Sequence, residues 1–164
     1  MDRLQLDKNA KLTGRVYFKD EIMLLGLSGS GASFTFDGTK LVLKLKGDNI
    51  AVGENPIDYA RIAVYVDGKR VVDEMINCAE KEVTVIDRTE SAKSVVEIIK
   101  LSESPMSAIG IEAFADGSAE ALPEKPLKIE FIGDSITCGY GVDDEDENHQ
   151  FTTCLLYTSP SPRD

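Results

Sequence analysis

The stretch LVLKLK at residues 41–46 decides the fold class, because its apolar residues recur at every second position. Its three leucines would lie on one face of an extended strand, and Val42 with the two lysines would lie on the other. One buried face and one solvent-facing side are typical of a strand in an antiparallel sheet. The stretch therefore predicts a half-buried β-strand.

The same period of two continues further along the chain and indicates how two strands are joined. IAVYV at residues 62–66 alternates, and the dipeptide Asp67-Gly68 separates it from KRVV at residues 69–72. Both central positions of a type I′ turn need a positive φ, which Asp and Gly tolerate. These residues therefore predict a two-residue β-hairpin.

Similar short alternations fill most of the first 115 residues. Further candidate strands are residues 15–18, 22–27, 32–36, 83–86, 94–100 and 109–114. Eight or nine strands at a spacing of about ten residues, with no amphipathic helix between them, predict a mainly β, two-sheet antiparallel sandwich.

Three other segments of this region are predicted to be connections. Residues 4–12 and 49–59 lack a clear period and are interpreted as irregular. SGSG at residues 28–31 has the glycines of a phosphate-binding loop, but it lacks GK[ST] and lies between two strands rather than before a helix. We therefore predict a hairpin turn there.

The charge of the chain argues against two classes of partner. Lys and Arg number 18 against 29 Asp and Glu, which gives a formal net charge of −11. Because such a chain repels phosphate backbones and anionic lipids, we expect neither nucleic acid nor a membrane surface as a partner. Five of the acids form one run at residues 143–147, which we interpret as a solvated loop, since a bare run supplies no converging cation ligands.

Cysteine spacing and hydropathy bear on metal binding and location. The three cysteines, Cys78, Cys138 and Cys154, form no CxxC or Cys/His spacing, so we expect neither a zinc site nor a disulfide framework. Cys78 is predicted to be a small buried side chain. The opening MDRLQLDKNAKLTG lacks the apolar core of a secretion signal, and no apolar run approaches the roughly 18 residues of a membrane span. The sequence as written predicts a cytoplasmic protein.

The character of the chain changes after Asp116-Gly117. SAEALPEKP at residues 118–126 is small, charged and interrupted by prolines, as in an interdomain linker. LKIEFI at residues 127–132 then predicts one more strand, whose apolar end suits burial on both faces of a parallel sheet. It continues directly into GDSIT at residues 133–137. These residues predict the start of a second, α/β domain.

Ser135 is the one residue whose setting predicts catalysis. A serine hydroxyl is a weak nucleophile unless it is held at an exposed position beside a base, with N–H donors aimed at the oxyanion that forms. Ser135 follows an apolar strand, and Gly133 allows a tight turn that would present the hydroxyl at the carboxyl edge of a sheet. The alternative is structural, because Asp134 and Ser135 are also good caps for a following helix.

The longer string FIGDSITCGYGV at residues 131–142 resembles the first block of the SGNH, or GDSL, hydrolase superfamily. Its GDSITCGYGV form is similar to carbohydrate esterase family two in particular. The resemblance implies an N-terminal jelly-roll β-sandwich followed by an SGNH α/β domain that removes acetyl groups from plant polysaccharides such as xylan. It also implies that Ser135 is the nucleophile and a backbone oxyanion donor, that Gly133 and Asp134 shape the turn, and that no metal or organic cofactor is needed.

The strand pattern, the linker composition, the family resemblance and the character of the last residues together divide the chain into four parts. They are a sandwich domain at residues 1–117, a linker at 118–126, the truncated start of the SGNH domain at 127–153 and a non-native tail at 154–164. In the superfamily, the remaining oxyanion donors, a glycine and an asparagine, and the catalytic histidine come from later parts of the domain. We therefore expect this polypeptide to be inactive by itself.

Two features near the end of the sequence are not interpreted as functional, although the first has the spacing of a catalytic motif. Asp146 and His149 have the DxxH spacing that the superfamily uses for its acid and base, but they follow Ser135 closely and lie at the acidic run, so we interpret His149 as an exposed loop residue. CLLYTSPSPRD at residues 154–164 resembles a translated sequencing adaptor. We expect independent genomic reads across codon 154 to depart from this sequence.

A second interpretation assigns the chain to another functional class. A noncatalytic β-sandwich that binds carbohydrate or a protein would need no nucleophile, although a chain without tryptophan is poorly suited to stacking on sugars. The leading interpretation expects an acetylated polysaccharide or oligosaccharide as substrate. The polysaccharide, the ester position and the oligomeric state are left open.

Overall fold

A computed structural model describes residues 1–103 and 106–127, together with the single residue 132. The described part is built almost entirely from antiparallel strands. The strands are β1 (Asp2–Leu4), β2 (Lys11–Thr13), β3 (Val16–Lys19), β4 (Ile22–Leu25), β5 (Gly31–Gly47), β6 (Ala60–Val66), β7 (Lys69–Ile76), β8 (Glu80–Lys100) and β9 (Ile109–Ala121). One helical turn, α1 (Leu6–Asn9), and a 3-10 turn (Pro56–Asp58) lie between them.

The strands form one continuous hydrogen-bonded network that is bent into two layers. Its order is β3-β4-β9-β5-β8-β6-β7, with β1 added to β9 and β2 added to β5. Residues 31–38 of β5 pair with residues 92–99 of β8, whereas residues 40–46 of β5 pair with residues 80–87. Layer one therefore contains β2, β6, β7 and the first half of β5. Layer two contains β1, β3, β4 and the second half of β5.

We call the place where β5, β8 and β9 cross between the layers the bent end. The register of β5 shifts between Gly38 and Lys40 against both neighbours, and Gly38 lies opposite Gly117 of β9. A Cβ on Gly38 would lie 2.4 Å from the Asp116 carbonyl oxygen, so only glycine fits this close approach. Arg88 closes the irregular part of β8 by donating from Nε to the Gly38 carbonyl at 2.9 Å.

The opposite end of the sandwich, which we call the loop end, carries the connecting residues 26–30, 48–59, 101–103 and 106–108. The Lys100 amide donates to the Ser30 carbonyl, and the Ser107 amide donates to the Asp58 carbonyl. Both ends of β5 therefore meet there, because Ser30 precedes the strand and Asp48 follows it.

The inner faces of the two layers share one hydrophobic core. Leu41, Leu43 and Leu45 are fully buried, whereas the intervening residues of β5 are half-buried. In layer one, Phe34 and Phe36 are fully buried and belong to the same cluster. The alternation at residues 41–46 therefore predicted the correct face, and the mainly β antiparallel sandwich is confirmed.

The predicted hairpin is also confirmed. Asp67 and Gly68 join β6 to β7 with φ values of 52° and 78°, which are the positive angles of a type I′ turn. A bulge next to the turn, where Val64 pairs with Val72 but Tyr65 pairs with Arg70, adds one residue to β7.

Several connections differ from the predictions. Asp37-Gly38 and residues 87–93 do not end strands, because β5 and β8 run through them as bends. SGSG at residues 28–31 joins β4 to β5, which do not pair with each other, so it is not a hairpin turn. Residues 4–12 contain α1 and β2 rather than an irregular connection. Cys78 is only half-buried and donates to the Glu80 carbonyl.

The end of the sandwich bears on the predicted linker. β9 continues to Ala121, so residues 118–121 are paired with β5 rather than free. Residues 122–127 then leave the sheet. None of the helices in the described ranges has the length and apolar character needed to cross a bilayer.

Candidate functional site

The predicted catalytic residues lie outside the described part of the chain. Gly133, Asp134 and Ser135 belong to this group, and so does His149. Their roles therefore stay predictions. Since His149 is the single histidine of the sequence, residues 1–103 and 106–127 contain no serine-histidine pair. The described residues instead show the surface from which the chain runs toward Ser135.

The last described segment crosses the outer face of layer one. The Lys11 ammonium on β2 lies 3.3 Å from the Glu124 carboxylate, which ties this segment to the sheet. Between the segment and the sheet lies a groove with a volume of about 580 Å³, which we call the linker groove. The groove is lined by Lys11, Thr13, Ser33, Val95, Glu97, Leu122, Pro123, Glu124 and Lys125.

The alternation of the strands places these side chains on the outer face. Phe34, Val96 and Ile98 point into the core, so Ser33 and Glu97 must point away from it. Strand pairing then aligns residues from three strands in one row, because Lys11 pairs with Ser33 and Ser33 pairs with Glu97. Neighbouring strands lie about 4.8 Å apart, so the row places polar groups at regular intervals across the sheet.

Glu97 differs from the other charged residue in this row. Its side chain is half-buried, and in the described part of the chain it has neither a hydrogen bond nor an ion pair. Lys11, in contrast, has its partner in Glu124. The groove therefore contains one carboxylate whose acceptor capacity is unused.

A second groove, with a volume of about 420 Å³, lies on the outer face of layer two. Its charged groups are largely paired: Lys40 bonds Asp87 at 2.9 Å and Lys44 bonds Glu80 at 2.7 Å. In each case the hydrogen bond to the carboxylate raises the pKa of the lysine. Because both lysines already bind carboxylates of the protein, this groove offers few free charged groups to a ligand.

The loop end contains a polar cluster centred on Asp48. Its carboxylate accepts from the amides of Ile50, Ala51 and Ala108 and from the Ser107 hydroxyl, at 2.6 to 3.1 Å. Burial opposes the charge on Asp48, but these four donors outweigh burial and lower its pKa. Asp48 thereby holds the connection after β5 against the connection before β9.

Lys100 is the buried cation of the same end. Its side chain is fully buried, and its ammonium donates to the carbonyls of Ser102 at 2.7 Å and Glu103 at 2.9 Å. Burial lowers its pKa to about 8, although the carboxylates of Asp48 and Glu103 act in the opposite direction. No cavity among the described pockets opens onto Lys100, so we interpret it as a structural group.

Three further ion pairs lie on the outer faces. Arg61 on β6 binds Asp73 on β7 in a bidentate manner at 2.7 and 2.8 Å, and this hydrogen bonding lowers the pKa of Asp73. Glu112 binds both Lys46 and Arg3, and Lys46 lowers its pKa. Within the described ranges, no three His, Cys, Asp or Glu side chains form a group able to hold a metal ion.

Comparison with known proteins identifies the sandwich. Residues 12–126 match the family described as Carbohydrate esterase 2 N-terminal. Cellulase/esterase CelE of Acetivibrio thermocellus is 30% identical over 128 residues, which are 76% of this chain and 15% of CelE.

Solved structures have the same fold. A family two carbohydrate esterase from Clostridium thermocellum, in complex with cellohexaose, has a TM-score of 0.72 at 24% identity and covers 91% of this chain and 44% of its own. The acetyl xylan esterase Est2A from the rumen bacterium Butyrivibrio proteoclasticus has a TM-score of 0.79 at 18% identity, with 97% of this chain and 44% of its own covered. The chain thus spans less than half the length of these relatives. Because the matched family covers more than two thirds of its residues, the chain belongs to the carbohydrate esterase 2 N-terminal family.

Proposed function

We propose that this chain supplies the sandwich and the nucleophile of a serine esterase that removes acetyl groups from plant polysaccharides of the xylan or mannan type. The observation that carries the proposal is an order of features along the chain. The family match ends at residue 126, and GDSITCGYGV begins at residue 133. A nucleophile motif thus begins within ten residues of the end of the matched N-terminal esterase domain.

The names of the relatives support the substrate class. CelE is named a cellulase/esterase, the Clostridium thermocellum esterase was solved with cellohexaose, and Est2A is an acetyl xylan esterase. All three are named esterases, and Est2A is named for acetyl xylan. We therefore propose an acetylated polysaccharide or oligosaccharide as the substrate of the protein to which this chain belongs.

The proposed reaction is acyl transfer to serine and then to water. The Ser135 hydroxyl oxygen attacks the acetyl carbonyl while a histidine accepts its proton. N–H donors, including that of Ser135 itself, stabilise the oxyanion. The tetrahedral intermediate then expels the sugar oxygen, which takes the proton from the histidine. Water repeats the sequence on the acetyl-enzyme, releases acetate and restores Ser135.

We propose that the polypeptide of these 164 residues does not perform this reaction alone. Its single histidine, His149, lies next to the acidic run at residues 143–147, only 14 positions after Ser135. Without a base to accept the proton, a serine hydroxyl at neutral pH is a poor nucleophile. We therefore expect no acetylesterase activity from the 164-residue polypeptide by itself.

The test compares two proteins on acetylated xylan, acetylated glucomannan and a chromogenic acetate ester. The product of the complete reading frame that contains these codons should release acetate, and the 164-residue polypeptide should not. Ser135→Ala should reduce release by the full frame at least about 1000-fold, while Ser28→Ala, a change of an exposed serine, should leave it unchanged. Undiminished release by Ser135→Ala would exclude the proposed nucleophile, and release by the short polypeptide would refute its inactivity.

A further inference from the structure

We propose that the linker groove is a noncatalytic binding site for a short stretch of neutral polysaccharide. The choice of a plant glycan as the ligand rests on the proposed function. The groove itself rests on the described geometry of β2, β5, β8 and the segment after β9, all of which lie before the nucleophile motif in the chain.

The polar side of the groove suits a ligand with many hydroxyl groups. Ser33 and Thr13 offer hydroxyls that both donate and accept, and Glu97 offers two oxygens that only accept. Since Ser33 and Glu97 are paired across neighbouring strands, their side chains stand about 5 Å apart on the outer face. Adjacent hydroxyls of one sugar ring can reach both.

The unpartnered carboxylate of Glu97 is the strongest indication of a ligand. The Glu97 oxygens are not among the buried atoms that lack a hydrogen-bond partner, so they reach solvent and are available to accept from a ligand. On the other outer face, Glu80 and Asp87 are paired with lysines of the protein, and Glu82 is exposed to solvent rather than half-buried. Glu97 has no such partner in the described part of the chain. Hydroxyl donors of a bound sugar would satisfy it.

The groove also has apolar residues. Val95 is exposed on the same outer face of β8 as Glu97, and Leu122 and Pro123 line the groove from the segment after β9. Sugar rings have a C–H face that packs on such surfaces. The volume of about 580 Å³ lies in the range of about 300 to 1,000 Å³ that is usual for small-molecule sites, so the groove has room for a short oligosaccharide.

Charge favours a neutral ligand over an anionic one. The formal net charge of the chain is −11, and both Glu97 and Glu124 line the groove. The Lys11 ammonium is already paired with Glu124. Because the lining also includes Lys125, its two lysines and two glutamates cancel in formal charge, and a phosphate or an acidic peptide would find no excess of positive charge there.

Chain length favours the esterase's own polymeric substrate as the occupant. Lys125, on the rim of the groove, precedes Ser135 by ten residues. Even a fully extended chain spans at most about 3.5 Å per residue, so these two residues are separated by no more than about 35 Å. One polysaccharide chain is long enough to contact both positions, and binding in the groove would raise its local concentration at the nucleophile.

The experiment titrates the 164-residue chain with xylohexaose, cellohexaose and mannohexaose by isothermal calorimetry or by amide NMR shifts. We expect at least one hexasaccharide to bind, with shifts in β2, β5 and β8. Glu97→Gln should weaken binding about tenfold, which corresponds to about 1.4 kcal/mol. The matched control Glu82→Gln changes an exposed carboxylate of the same strand on the other outer face and should leave the affinity unchanged. Equal unfolding midpoints of the two variants exclude misfolding as the cause.

The outcomes separate this proposal from the proposed function. Failure of all three hexasaccharides to bind at millimolar concentration would overturn the proposal that the linker groove binds polysaccharide. Equal affinity of Glu97→Gln and wild type would also overturn it. Displacement of the sugar by a short oligolysine, with oligolysine binding abolished in Glu97→Gln, would assign the groove to a cationic partner and overturn the proposal. Unchanged binding by Ser135→Ala would support the groove even if the esterase test failed, because no groove residue takes part in catalysis.

Discussion

The two ends of the sandwich connect the same two layers by different means. At the bent end, β5, β8 and β9 pass from one layer to the other without a break, and Gly38 meets Gly117 where they cross. At the loop end the layers are joined through separate connections, which meet around Asp48 and Lys100.

The difference shows which physical effect most constrains the stability of each end of the sandwich. Where the chain is continuous, covalent geometry already fixes the layers, and the space between backbones becomes critical. Where the chain is interrupted, buried polar groups must join the connections, and the cost of removing charge from water becomes critical. The bent end should therefore respond to added volume, and the loop end to pH and to loss of hydrogen bonds.

The largest effect is expected from Gly38→Ala. The added Cβ would lie 2.4 Å from the Asp116 carbonyl oxygen and 2.7 Å from the Gly117 Cα, so the backbones of β5 and β9 must separate. We expect a loss of about 3 kcal/mol or more in the free energy of unfolding, measured by urea titration. Gly26→Ala is the control, because its Cβ would meet no atom within 4 Å. A loss as small as that of the control would show that the bend tolerates separation.

The next largest effect should be a dependence of stability on alkaline pH at the loop end. The pKa of Lys100 is lowered from 10.5 to about 8 in the folded chain. Between these values the unfolded chain binds the proton and the folded chain does not, so the free energy of unfolding rises with pH, by an amount on the order of 3 kcal/mol. Urea titrations from pH 7.5 to 10.5 should show the rise in wild type.

Substitution of the lysine separates this effect from the rest of the surface. Lys100→Met should abolish the rise, whereas Lys40→Met should retain it, because the pKa of the exposed Lys40 is shifted upward and contributes with the opposite sign. A rise that persists in Lys100→Met would contradict the assignment of the buried charge.

Asp48→Asn should have a smaller effect at the same end. The variant keeps the shape of the side chain but replaces one acceptor oxygen with an NH₂ group that faces protein donors, so we expect a loss of about 2 kcal/mol at pH 7. Because the pKa of Asp48 is lowered on folding, wild type should lose this contribution as pH falls below about 4. The difference between the two proteins should therefore shrink in acid, and a constant difference from pH 7 to pH 2 would argue against the charged interaction.

The smallest effect is expected from Asp87→Asn near the bent end. Asp87 forms an exposed ion pair with Lys40 at 2.9 Å, and exposed pairs contribute little because water and salt screen them. We expect no change in the free energy of unfolding that urea titration resolves. A loss comparable to that of Asp48→Asn would show that surface charge stabilises the bent end.

Local patterns predicted those parts of the fold whose cause is local. The alternation at residues 41–46 placed its leucines in the core, and Asp67-Gly68 formed the predicted turn. Asp37-Gly38 carries a similar signal but does not turn, because β5 is paired on both sides there and the glycine instead allows contact with β9. The difference depends on long-range pairing, which a single segment does not encode.

The same limit applies to the sites. A short string predicted Ser135 as the nucleophile, and that prediction lies outside the described residues. The linker groove combines β2, β5, β8 and the segment after β9, which are separated by up to about 110 positions in the sequence. Only the strand register brings Lys11, Ser33 and Glu97 into one row, so no motif could have predicted the groove.

The central claim, that this sandwich precedes a serine esterase nucleophile, is tested most directly by covalent capture. The product of the complete reading frame is treated with a fluorophosphonate, digested with trypsin and examined by mass spectrometry. The adduct should lie on Ser135, in the peptide that follows the cleavage at Lys128, and acetate release should be lost in proportion to labelling. A labelled residue elsewhere, or full acetate release from a protein labelled on Ser135, would contradict the claim.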